Sequence, residues 1–67
     1  MLSVIIPIFN EEDNINILSK NLFQSIKNFN YEVIFINDGS TDDSEKKILN
    51  VIKKYRNYNL VNFKKNY

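Results

Sequence analysis

A chain of 67 residues holds one small domain at most and buries a modest share of its surface. It contains neither cysteine nor histidine, which excludes a disulfide framework, a thiolate metal site and an imidazole base working near pH 7. Nine basic residues against eight acidic ones leave a formal charge of +1, which argues against a general electrostatic binder of nucleic acid. The longest apolar stretch, Val4 to Phe9, is far short of a bilayer span. No basic amino-terminal region or small-residue cleavage site marks a signal peptide, so the visible chain reads as soluble or peripheral.

Leu2-Ser3-Val4-Ile5-Ile6-Pro7-Ile8-Phe9 is a nearly unbroken β-branched and aromatic run, the pattern of a strand covered on both faces. Pro7 removes a ladder donor and belongs near the strand's carboxyl end or at a bulge. Asn10 offers an amino cap, with Glu11 and Glu12 in a first turn where the helix dipole favours negative charge, so a helix is predicted to start here. Ile15, Leu18, Leu22, Ile26 and Phe29 recur at helical spacing and form its apolar stripe. Tyr31-Glu32-Val33-Ile34-Phe35-Ile36 reads as a second strand. Asp42 with Glu45 resembles a capping box, and Ile48, Leu49, Ile52 and Tyr55 give a second helix its stripe. Asn57 and Asn59 end that helix, Leu60-Val61-Asn62-Phe63 reads as a third strand, and Lys64 to Tyr67 begins a loop.

The whole is β-α-β-α-β. Two right-handed crossovers in one direction give a parallel sheet of order 3-2-1 with both helices on one face. The other face is then bare, although the first two strands are apolar at odd and even positions alike. Self-association through that face or the first strand's edge is therefore expected.

Chemistry is expected at the carboxyl ends of the strands, where an open parallel sheet binds its ligands. Asp38 ends the second apolar run, and Gly39 lets the backbone turn with positive φ and approach a ligand closely. An Asx turn leading into a helix explains Asp38 equally well. Asn10-Glu11-Glu12-Asp13 is open to the same two readings, a dipole-matched helix start or part of a pocket. Both acidic clusters follow a strand of one βαβ unit and should emerge on one sheet edge. Together they describe a pocket for hydroxyls, base nitrogens or a cation, and not a bare phosphate site, since neither loop is glycine-rich. The dinucleotide and P-loop fingerprints are absent, and Ser40 has no histidine to activate it.

Ser3 to Glu12, followed by Ile15 and Leu18, and then Glu32 to Asp42 with its Asp38-Gly39-Ser40-Thr41-Asp42 run, resemble the opening of family 2 glycosyltransferases. The likeness is greatest to the branch that transfers sugars to polyprenyl or dolichyl phosphate. It implies the Rossmann-like amino-terminal half of a GT-A fold, with residues 1–67 forming one partial, nucleotide-binding domain. It also implies that Pro7, Phe9 and Glu11 line a nucleotide pocket, that Asp38 contacts the base and that Ser40 lines the site nearby. Phe9 stands where a tyrosine is usual, and Asn37 where many members have an aspartate. Lys65-Asn66-Tyr67 resembles the start of a further family stretch.

By the same resemblance, the partners are a UDP- or GDP-sugar donor and, for the parent protein, a lipid-phosphate acceptor. The parent is expected in the cytoplasm and in association with a membrane. The family's Asp-x-Asp motif, which holds Mg²⁺ or Mn²⁺, and its general base do not occur in the 67 residues, so no bound cofactor and no sugar transfer is expected of this chain alone. Two other readings remain open: a non-catalytic βαβαβ module that self-associates, and a phosphoacceptor receiver domain lacking its later lysine and strands.

Overall fold

The structure, a computed structural model, describes residues 1–63. Strand β1 (Leu2–Ile8), helix α1 (Ile15–Ile26), strand β2 (Tyr31–Asp38), helix α2 (Ser44–Lys54) and strand β3 (Tyr58–Phe63) follow in the predicted order. The three strands form one parallel sheet, ordered β1-β2-β3, with Val4 opposite Val33 and Val33 opposite Tyr58. This is the expected 3-2-1 arrangement read from the other edge. The loop predicted at Lys64 to Tyr67, and the resemblance carried by Lys65-Asn66-Tyr67, lie outside the described residues.

The core joins one set of alternate strand residues to both helices. Ile8 of β1, Tyr31, Val33 and Phe35 of β2, and Tyr58 of β3 are buried with Ile15 and Ile26 of α1 and Ile48 and Val51 of α2. Because strand side chains alternate, this places both helices on one face. Rings stitch the core at its amino end: Tyr58 lies 5.0 Å from Tyr55, 6.0 Å from Phe35 and 6.2 Å from Tyr31, centroid to centroid. Each fully buried side chain of this size contributes roughly 1.5–3 kcal/mol.

The opposite face is bare, as anticipated. Its amino end is polar, with Ser3 Oγ donating to Glu32 Oε1 at 2.7 Å. Towards the carboxyl end it turns apolar. Ile5 pairs with Ile34, and Pro7, Ile36 and Val61 run across the sheet, with Phe63 beside Asp38. Ile5, Val61 and Phe63 are 60%, 43% and 54% exposed.

Several boundaries differ from expectation. Helix α1 begins at Ile15 after an Asn14 cap, four residues beyond the predicted Asn10 cap, and has no acid in its first turn. The reason is local: Asn10 takes a left-handed backbone, φ 51°, which no helix start can use, and its side chain is engaged across the sheet edge. Helix α2 is capped at Asp43, and Glu45 does not fold back to complete a capping box; its Oε1 accepts from Asn62 Nδ2 at 3.0 Å. Asn57, φ 58°, turns the chain into β3 two residues earlier than predicted. The stripes shift as well. Leu18, Phe29 and Leu49 are exposed, whereas Ser19, Ser44 and Val51 are buried.

Candidate functional site

At the carboxyl edge the loop after β1 and the loop after β2 lie side by side. Their proximity follows from the register, since Ile8 pairs with Asn37 and both chains leave the sheet together. The two loops are tied by a reciprocal set of hydrogen bonds. Three consecutive backbone N–H groups of the first loop donate to side chains of the second: Asn10 to Ser40 Oγ at 3.0 Å, Glu11 to Ser44 Oγ at 2.9 Å and Glu12 to Asp42 Oδ2 at 3.3 Å. In return, Asn10 Oδ1 accepts from the N–H of Thr41 at 2.8 Å and of Asp42 at 3.4 Å. Asn37, almost fully buried at 5% exposure, continues the network inward. Its Oδ1 accepts from Ser40 N–H at 3.3 Å, and its Nδ2 donates to Asn62 Oδ1 at 3.1 Å.

The five residues predicted to line a nucleotide site all fall along this edge. Pro7 is the penultimate residue of β1 and Asp38 the last of β2, both on the uncovered face. Phe9 follows β1 and is 59% exposed. Glu11 stands exposed in the first loop, with its Oε2 accepting from Asn14 Nδ2 at 2.9 Å. Ser40 bridges to Asn10. Gly39 turns at φ 71°, and a Cβ built there would meet nothing closer than 4.0 Å, so conformation and not crowding calls for glycine.

The edge is strongly acidic. Seven of the chain's eight acids, Glu11, Glu12, Asp13, Asp38, Asp42, Asp43 and Glu45, lie at the end of β2, in these loops or in the first turn after them. Partial burial opposes the charge on Asp42, but hydrogen bonds from Ser44 and from the Glu12 backbone outweigh it and hold that carboxyl below its ordinary value of 3.8. Its contribution to stability is therefore present above about pH 4 and lost as the pH falls through its lowered value in the fold.

A field of this sign, with three loop N–H groups already satisfied internally, suits ring N–H donors and hydroxyls and repels a bare phosphate. Among the described residues no three acidic, Cys or His side chains gather closely enough to hold a metal ion. Two clefts, of about 420 and 470 Å³, open elsewhere, and none of the five predicted residues borders either.

What the sequence did not show is the loop tie itself: Asn10, read as a cap or as part of a pocket, is joined to the second loop, together with Asn37, Asp42 and Ser44. Asparagine's tolerance of left-handed backbone was the available signal at position 10. The Ser44 contact lies 33 residues from its donor and left no local trace.

A parallel α/β sheet with two loops converging at its carboxyl edge is the architecture in which ligands bind at that edge. The model of the family described as "Glycosyl transferase family 2" matches residues 3–67, and the chain belongs to that family. It is 35% identical over 68 residues to a Synechocystis protein named as an uncharacterized glycosyltransferase, covering 98% of this chain and 21% of that one. It is 44% identical over 46 residues to the prophage bactoprenol glucosyl transferase homolog of Escherichia coli, covering 66% and 15%. It is 35% identical over 69 residues to a dolichyl-phosphate beta-glucosyltransferase of Trichomonas vaginalis, covering 91% and 21%. The chain thus spans about a fifth of the length of the curated relatives it matches. No described helix is long and apolar enough to cross a membrane.

Proposed function

We propose that this chain supplies the donor-nucleotide half of the site of an inverting glycosyltransferase that moves a sugar from a UDP- or GDP-sugar to a lipid phosphate. The observation that carries the reading is the tied pair of loops, which sets Pro7, Phe9 and Glu11 beside Asp38 and Ser40 on one edge. In this reading Asp38 accepts a hydrogen bond from the base, Pro7 and Phe9 offer an apolar wall to the ring, and Glu11 and Ser40 meet ribose hydroxyls. The acidic field leaves the diphosphate to cations from elsewhere. Mg²⁺ or Mn²⁺ and the general base belong to an Asp-x-Asp segment and a further acid outside these residues, so these residues alone carry no turnover. The bactoprenol and dolichyl-phosphate names among the relatives support a polyprenyl-phosphate acceptor and, with it, work at a membrane surface.

A second reading, a non-catalytic module that self-associates, draws on the apolar strip of Ile5, Ile36, Val61 and Phe63 on the uncovered face. One titration separates the two. UDP and GDP are added to the isotopically labelled protein, and its sedimentation is recorded alongside. Shifts clustered at Phe9, Glu11, Asp38 and Ser40 are the expected result. A stable oligomer with no shifts at millimolar nucleotide would replace the first reading with the second.

A further inference from the structure

The tie between the two loops is asymmetric, and its asymmetry singles out one side chain. Three of its links use separate side chains, Ser40, Ser44 and Asp42, to satisfy the backbone of the first loop. The only described link in the other direction is Asn10, whose Oδ1 takes the consecutive N–H groups of Thr41 and Asp42 and lies 3.5 Å from Thr41 Oγ1. Asn10 also donates its own N–H to Ser40 Oγ and holds φ at 51°, a conformation that strains most residues and asparagine less. Position 10 therefore combines two requirements, a left-handed backbone and a short neutral acceptor. Its neighbours in sequence are Phe9 and Glu11, and its partners Thr41 and Asp42 directly follow Ser40, three and four residues after Asp38.

We propose that Asn10 is the positioning residue of the edge: it touches no ligand itself, and it fixes the separation of the loop that carries Phe9 and Glu11 from the loop that carries Asp38 and Ser40. A ligand bound across both loops then meets groups already at their working distance and loses less freedom on binding. This role rests on the donor-site reading above. Neutrality of the acceptor matters too, because an aspartate here would add an eighth negative charge to the edge.

The test compares Asn10→Gly with Asn10→Asp in the full-length protein. Glycine keeps the left-handed backbone and removes the acceptor, so the fold is spared. Aspartate keeps an acceptor oxygen in the same place. Three quantities are read: thermal midpoint, hydrogen exchange at the Thr41 amide, and affinity for UDP and GDP. In Asn10→Gly the Thr41 amide is expected to exchange at least tenfold faster and nucleotide affinity to fall at least fivefold, while the thermal midpoint moves little. In Asn10→Asp, Thr41 keeps its protection. A purely architectural Asn10 would lower the midpoint and leave the affinity of the folded protein unchanged, which overturns the proposal. Wild-type protein that binds neither nucleotide at millimolar concentration overturns the donor-site reading and this role with it. Wild-type protein that binds, alongside Asn10→Gly that binds equally well, overturns the positioning role alone.

Discussion

The two faces of one sheet are built from the same strands and nearly the same residue types, yet they have different fates. In β2, Val33 and Phe35 have no exposed surface, while Ile34 and Ile36, their immediate neighbours, are only partly buried. In β1, Ile8 is buried and Ile5 lies open. Hydrophobicity along the chain does not separate these residues, because isoleucine stands on both sides. What separates them is which side the crossovers sent the helices to, a matter of handedness and not of composition. The face that received α1 and α2 is a core, and the other is an apolar surface ending at the acidic edge.

The largest expected effect tests this difference directly. Phe35→Ala empties the centre of the covered face and should cost about 3–5 kcal/mol. Ile5→Ala, an apolar truncation of similar kind on the uncovered face, should cost less than about 1 kcal/mol. Urea unfolding of both variants measures the contrast. Equal losses would mean that the uncovered face is packed against something in solution.

The sheet was legible because buried parallel strands announce themselves as apolar runs, and Val4-Ile5-Ile6 and Val33-Ile34-Phe35-Ile36 left little else to read. The bare face followed from topology alone. The helices were legible as elements but not in phase. Both use contacts at intervals of four, three and four, Ile15-Ser19-Leu22-Ile26 and Ser44-Ile48-Val51-Tyr55, in which a serine takes an inward position. A stripe sought among large apolar residues passes over those serines and admits Leu18 and Leu49 instead. The site was half legible: motif residues such as Asp38 and Glu11 could be named, but the bonds that bring their loops together join residues about 30 positions apart. Asn10 looked like a cap because its partners, Thr41 and Asp42, were invisible from its neighbours.

A smaller effect sharpens the picture of the covered face at its polar fringe. Tyr58 is buried, and its hydroxyl donates to the Ser19 carbonyl at 3.2 Å. Burial first, and then the nearby phenols of Tyr31 and Tyr55, push its pKa from 10.0 up to about 12. The folded value is raised, so stability is intact below pH 10. It falls between about pH 10 and 12, where the unfolded chain releases this proton and the folded chain keeps it. Tyr58→Phe should cost about 1 kcal/mol at neutral pH through the lost hydrogen bond. It should also flatten the alkaline part of a stability profile measured by denaturant titration. An unchanged alkaline slope would show that Tyr58 is reached by water.

The smallest effect has the opposite sign. Ser19 sits on the inward stripe of α1 with no exposed surface, and its Oγ has no hydrogen-bond partner among the described residues. Its carbonyl serves Tyr58, but that group is backbone and survives any substitution. A desolvated hydroxyl without a partner weakens a core that otherwise buries only apolar side chains there. Ser19→Ala removes it, keeps the small volume that lets α1 approach the sheet, and places a better helix former in the middle of the helix. The variant should match the wild type or exceed it by up to about 1 kcal/mol in thermal or urea unfolding. A clear loss would show instead that the hydroxyl is satisfied in solution, by water or by another part of the protein, and that the covered face is wetter at this point than its neighbours Ile15 and Tyr58 imply.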